Sequence, residues 1–152
     1  MPNQTADQVI RALELAPHPE GGYYKETYRD QSTQGRGLAT AIHFLLRSQQ
    51  VSHWHRIDAV EIFHYYAGLP VELRLWKPGG AVTRHVLGPH VLGGHSPTVI
   101  IPPHTWQTAR PLTDAATEHD FSLVGCTVSP AFEFAGFELA APGWQPPVEP
   151  GA

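Results

Sequence analysis

The stretch Ser52-His53-Trp54-His55-Arg56-Ile57-Asp58-Ala59-Val60-Glu61-Ile62-Phe63-His64-Tyr65-Tyr66-Ala67-Gly68 decides how this chain is read. Polar and apolar residues alternate over much of it, the period of two that marks β-strands. It predicts one strand over 52–57, a tight turn, and a return strand over 59–66. His53 and His55 stand two apart, so on a regular strand both imidazoles leave the same face. Imidazole nitrogens side by side suit a divalent metal such as Zn, Ni, Mn or Fe. Glu61, six residues after His55, opens the next strand and can complete a facial ligand set.

The same period continues outward. Strands are predicted over 23–29, 38–47, 71–77, 81–87, 98–101, 106–110, 121–128 and 132–139. Turn residues separate them, among them Gly68, Pro78-Gly79-Gly80, Gly88-Pro89, Gly93-Gly94, Pro102-Pro103 and Ser129-Pro130. With 14 Gly and 15 Pro spread along 152 residues, about ten short strands argue for an all-β sandwich or barrel. One helix is expected, over 5–15. Thr5 and Gln8 form a capping box there, Val9, Ile10, Leu13 and Ala16 fall at helical spacing, and Pro17 and Pro19 stop it. The proline-rich segment 142–152 reads as a loose tail, and the whole of 1–152 as one domain.

Composition excludes several functions. A net charge of −4 offers no electrostatic case for nucleic acid or an anionic membrane. A single cysteine, Cys126, rules out an internal disulfide and a multi-cysteine zinc site. No apolar run is long enough to span a bilayer as a helix, and no signal segment is visible, so a cytoplasmic location is expected.

The motif His53-x-His55, then Glu61, then Gly68, resembles the first motif of the cupin superfamily, in which the histidines and glutamate are metal ligands. Five residues separate His55 from Glu61, where that pattern usually has three or four. Pro102-Pro103-His104-Thr105-Trp106-Gln107 is similar to the second cupin motif. His104 stands in the glycine place there and Gln107 in the place of the last ligand histidine. The resemblance therefore implies His53, His55, Glu61 and Gln107 as a metal set, with a metal-free pocket as the alternative.

Longer segments resemble one branch of that superfamily, the cupin-like "domain of unknown function 985" family. They are Pro19-Glu20-Gly21-Gly22-Tyr23-Tyr24-Lys25-Glu26-Thr27-Tyr28, Glu61-Ile62-Phe63-His64, Trp106-Gln107, Leu123 through Pro130, and Phe132-Glu133-Phe134 with Phe137-Glu138-Leu139. The aspartate that members commonly carry before the glutamate is Val60 here, and Ala131 stands where glycine often follows Ser-Pro. This resemblance implies a jelly-roll β-barrel, usually a homodimer, similar to the nucleotide-sugar 3,5-epimerases.

In an epimerase-like site a histidine takes a proton α to a carbonyl, and a cation or phenol steadies the enolate. That reading gives His55 as base, with Arg56 and Glu61 beside it. His43, Tyr65, Trp106 and Lys25 are candidate ligand contacts. Each also has a plainer reading. His43 suits a buried, hydrogen-bonded histidine and Tyr65 a core aromatic. Trp54 and Trp106 suit packing outside the barrel wall. Lys25, with Glu20, Glu26 and Arg29, suits a solvated charged face. His64 is expected to point away from the interior, and Cys126 to be a small buried hydrophobe. Three functions stay open: an isomerase or epimerase acting on a carbohydrate-like metabolite, a metal-dependent oxygenase, and a non-catalytic barrel that binds a small ligand.

Overall fold

The computed structural model describes residues 4–114 and 116–147. Its strands run in chain order as β1 (Ala16–Pro17), β2 (Tyr23–Arg29), β3 (Thr40–Arg47), β4 (Ser52–Ile57), β5 (Val60–Gly68) and β6 (Val71–Trp76). They continue as β7 (Thr83–Leu87), β8 (Thr98–Ile101), β9 (Trp106–Pro111), β10 (Phe121–Ser129) and β11 (Phe137–Leu139). One sheet has the order β1-β2-β3-β10-β5-β8 and the other β11-β4-β9-β6-β7. All strand pairs are antiparallel. The chain passes repeatedly from one sheet to the other, which is the jelly-roll arrangement that the family resemblance implied.

The helix α1 (Ala6–Ala12) is shorter than the expected 5–15. Its capping box forms, the Thr5 backbone N–H donating to Gln8 Oε1 and the Gln8 N–H to Thr5 Oγ1. Glu14 then takes a left-handed φ of 56°, so the helix ends before either proline can stop it. Ala6 and Val9 pack with Leu15, Leu45 and Phe121 on the outer side of the six-stranded sheet. Residues 132–136 are not strand as expected; a 3-10 turn, Phe134–Gly136, precedes β11. Nor is all of the tail loose. The Trp144 ring lies 4.7 Å from that of Trp106, while 148–152 lie outside the described residues.

The space between the sheets is divided. One end is filled by Phe44, Leu46, Phe63, Leu73, Leu87, Val99 and Ile101, all buried and apolar. The other end is lined by polar groups. Burial of apolar side chains at about 25 cal/mol per Å² stabilises the first end, and that rigidity holds the second end in place. No described helix is long and apolar enough to cross a membrane.

Candidate active site

The polar end of the barrel draws on three places in the chain. His55 comes from β4 and Gln107 from β9 in one sheet; Glu61 comes from β5 in the other. The Gln107 side chain donates to Glu61 Oε1 at 2.9 Å, so this buried bond spans the two sheets. The third contribution is the loop His18–Gly22 before β2, and Glu20 on it is the residue that faces His55. Glu20 Oε2 lies 3.0 Å from His55 Nε2, and both side chains are buried. The other ring nitrogen, Nδ1, lies 2.7 Å from the His53 carbonyl oxygen, which can only accept, so Nδ1 carries a proton.

Local sequence explains how the loop reaches inward. Gly21 and Gly22 take φ of +106° and +81°, and a side chain at Gly21 would strike the Val51 carbonyl. Only glycine allows that approach without strain. The His53 N–H donates to the Glu20 carbonyl at 2.8 Å, fastening the loop to β4. His18 Nδ1 accepts the Glu20 N–H at 3.1 Å, which leaves the His18 proton on Nε2. The His18 ring sits edge-on to Tyr24 at 4.5 Å.

Charge follows from this packing. Burial opposes the charge on His55, but the Glu20 carboxylate outweighs it, helped by Glu61 and the His53 carbonyl, and the pKa is pushed up to about 9. Burial also works against the Glu20 anion, yet the His55 cation holds its carboxyl below the ordinary value. Burial and the Glu20 charge push Glu61 up to about 7, against the opposing pull of His55 and Gln107. His18 is pushed down by burial, against the opposing charge of Glu20 and with a smaller push from the His55 cation. Two glutamates in one site thus differ in their readiness to ionise, the separation that acid–base sites use. Cys126 lines the same space. Burial, with the charges of Glu61 and Glu20, raises its thiol well above the ordinary value, so it stays an unreactive thiol.

These groups surround a cavity of about 70 Å³, which Arg29, Glu26, Phe132 and Phe134 also line. Arg29 is held by a fork of two bonds to Glu26 and by a third to the Phe132 carbonyl.

Several expected site residues lie elsewhere. His53 does not join His55. Ser52 faces Ala109 and His55 faces Gln107 across β9, so three steps on β4 match two on its partner. The extra residue is a β-bulge, and it sends His53 outward while His55 stays inside. Arg56 is also outside, paired with Glu138 at 2.8 Å and lying over the Trp106 ring at 4.8 Å. Trp106 is buried under Trp144 and does not line the cavity. Lys25 pairs with Glu14 on the surface. His43 stands on the outer face of its sheet, edge-on to Tyr66 at 6.1 Å. Tyr65 packs against the apolar core and donates to the Gly68 carbonyl. His55, Glu61 and Gln107 do come together as expected; Glu20 and His18 were not anticipated. A lone acid between Pro19 and a glycine pair was the available signal for Glu20.

The four residues expected as metal ligands therefore do not converge. His55 has both nitrogens engaged, Gln107 turns its amide N–H toward Glu61, and among the described residues no three His, Cys, Asp or Glu donors form a metal-holding group. This donor arrangement does not fit a resident divalent ion.

The fold and the enclosed His–Glu cluster define a jelly-roll barrel with an internal polar pocket. A family model described as "Cupin superfamily (DUF985)" matches residues 7–140, and the chain belongs to that family. Protein SO0799 from Shewanella oneidensis is 38% identical, with a TM-score of 0.82 over 91% of this chain and 86% of that one. A hypothetical protein from Leishmania major is 32% identical, with a TM-score of 0.80 over 89% of this chain and 86% of that one. Oxalate decarboxylase from Bacillus subtilis shares the fold at 11% identity and a TM-score of 0.61, covering 81% of this chain and 29% of that one. No curated protein matches the chain.

Proposed function

We propose that the barrel pocket catalyses proton transfer on a small, polar, carbohydrate-like carbonyl compound, as an isomerase or epimerase does. The observation that carries this reading is the enclosed trio of Glu20, His55 and Glu61 around one cavity. Glu61 is the group that moves the proton. Its pKa of about 7 leaves it partly ionised at neutral pH, where a general base is most effective. The sequence reading assigned that task to His55. An imidazole that stays protonated up to about pH 9 suits the opposite part, lending positive charge to the developing oxyanion.

The step balances without a co-reactant. The Glu61 carboxylate takes the proton from the carbon next to the carbonyl. The C–H electron pair becomes the new C=C bond and the carbonyl π pair moves onto the oxygen, giving an enediolate beside the His55 cation. Glu61 then returns the proton to the neighbouring carbon while the hydroxyl proton passes to the former carbonyl oxygen, or to the opposite face of the same carbon after the substrate turns. Gln107 holds Glu61 Oε1, which leaves Oε2 to face the substrate. A cavity of about 70 Å³ offers roughly five water positions, which favours a substrate of a few heavy atoms over a nucleotide sugar.

The test is solvent isotope exchange. The protein is incubated in D₂O with dihydroxyacetone, glyceraldehyde, erythrulose and hydroxypyruvate, and deuterium uptake is followed by proton NMR. Uptake into at least one of them, lost in Glu61→Gln, is expected. Uptake that survives Glu61→Gln removes Glu61 from the role. Saturable binding of these compounds with no uptake would make the protein a ligand-binding barrel instead.

A further inference from the structure

The outer face of the five-stranded sheet carries a second arrangement that the barrel pocket does not use. Glu72 on β6 is almost fully buried, with 4% of its side chain exposed, and three arginines converge on it. Arg74 Nε donates to Oε1 at 3.0 Å, Arg110 Nε to Oε1 at 3.1 Å, and Arg84 Nε to Oε2 at 2.6 Å. The register explains the convergence. Glu72 faces Arg110 across β9, and Arg74 faces Arg84 across β7.

This cluster differs from the other ion pairs of the surface. Arg29, Arg36, Arg47 and Lys25 each pair one to one, with Glu26, Asp58, Asp7 and Glu14. Arg29 and Arg36 also use two nitrogens each on the carboxylate, the bidentate fork. Around Glu72 the ratio is three to one, and each arginine donates to it only through Nε. Among the described residues the terminal nitrogens of Arg74, Arg84 and Arg110 make no hydrogen bond. In a chain of net charge −4, three of the ten Lys and Arg residues are gathered here around one buried acid. Glu72 acts as a bracket. It fixes three guanidinium planes and leaves their outward edges free, the preorganisation that an anion receptor needs.

The anion edge has an aromatic wall. A groove of about 340 Å³ runs between Glu72, Arg74 and Arg110 on one side and His53, Trp54 and Trp144 on the other. Trp144, on the C-terminal segment, meets Trp54 at 6.0 Å, Trp76 at 5.9 Å and Trp106 at 4.7 Å. The bulge that expels His53 from the barrel is what places it in this groove. The volume lies within the range of small-molecule sites.

We propose that this groove binds a phosphomonoester bearing a flat ring, the chemistry of a nucleoside monophosphate. The phosphate sits on the free edges of Arg74 and Arg110, and the ring lies against Trp54 and Trp144. The groove is outside the barrel wall and independent of the pocket that holds Glu61.

All four tryptophans of the chain belong to this one cluster, and two of them, Trp54 and Trp144, line the groove, so tryptophan emission is sensitive to its occupancy. The experiment titrates adenosine 5′-monophosphate, adenosine and inorganic phosphate into the full chain, read by tryptophan emission and by calorimetry. The monophosphate is expected to quench saturably, and to bind at least about tenfold more tightly than either fragment. The double variant Arg74→Gln, Arg110→Gln is expected to weaken it by about tenfold or more, the scale of lost charge-assisted bonds. Should that variant misfold, Arg74→Lys with Arg110→Lys keeps the charges beside Glu72 and loses only the planar forks; weakened binding is still expected. Trp144→Leu is expected to weaken the monophosphate and leave inorganic phosphate unchanged. Binding that the arginine variants do not alter, or no saturation below about 10 mM, overturns the proposal. Phosphate binding as tightly as the monophosphate overturns the ring-bearing part of it.

Discussion

Replacing Glu20 with glutamine keeps the shape of the side chain and removes its charge from beside His55 Nε2. In the wild-type chain the His55 pKa is raised from 6.5 to about 9. At ~1.4 kcal/mol for each tenfold change in proton affinity, that rise ties about 3 kcal/mol of stability to the charged form. Because the folded value lies above the unfolded one, this contribution is whole below pH 6.5 and fades as pH rises to about 9. In Glu20→Gln the burial that disfavours the cation stays and the carboxylate is gone. The folded pKa of His55 then falls toward its ordinary value, and most of the fading goes with it. Glu61, raised from 4.5 to about 7, has nearly finished its own slope by about pH 7, so the imidazole dominates the change above it. Urea unfolding of both proteins at about pH 7, 8, 9 and 9.5 gives the difference in stability directly. The variant is expected to be less stable at pH 7, and the gap to close by about 2–3 kcal/mol by about pH 9.5. A gap that stays constant across this range, or a wild-type His55 that titrates near 6.5 by NMR, would refute the ion pair.

Three further outcomes are expected. Chelator treatment of freshly purified protein should leave its thermal midpoint unchanged, since the donors do not converge on a metal position; a fall of several degrees, restored by Zn, Ni, Mn or Fe, would show a metal contribution. Trp144→Ala removes a ring that touches three others and should lower stability by about 1–2 kcal/mol in urea unfolding, whereas a truly loose tail would give no change. The homodimer implied by the family resemblance should appear in light scattering. If it forms through the outer face of the six-stranded sheet, where Tyr66 and Ile100 are 53% and 62% exposed, Ile100→Glu with Tyr66→Asp converts it to monomer; an unchanged dimer places the contact elsewhere.

Much of the barrel was legible because its signals are local. Frequent turn residues and the period of two gave β2, β4 and β8 at their observed bounds. They gave β3, β5, β6, β7, β9 and β10 to within about two residues. Thr5 and Gln8 announced the helix start, because a capping box is complete within four residues. What failed was the reading of ends that depend on distant contacts. Glu14 turns left-handed where the chain must drop toward β1, and Trp144 is ordered by rings from β4, β6 and β9. Neither fact is written in the residues beside them.

The site shows the same division more sharply. Glu61 and Gln107 were read as inward-facing, and they are, because β5 near Glu61 and β9 near Gln107 keep strict alternation. His53 was read as inward by the same rule, and the rule failed at one bulged step in β4. A bulge costs one ladder pair and flips every side chain before it relative to those after it. Here the flip has two consequences. It leaves His55 without the His53 imidazole beside it, and Glu20 meets it instead, from the loop that the His53 N–H fastens. It also carries His53 to the arginine and tryptophan groove on the other side of the wall. The imidazole pair that the spacing suggested for a metal is thereby absent, and a buried imidazolium–carboxylate pair stands in the barrel instead because of one bulged step in one strand.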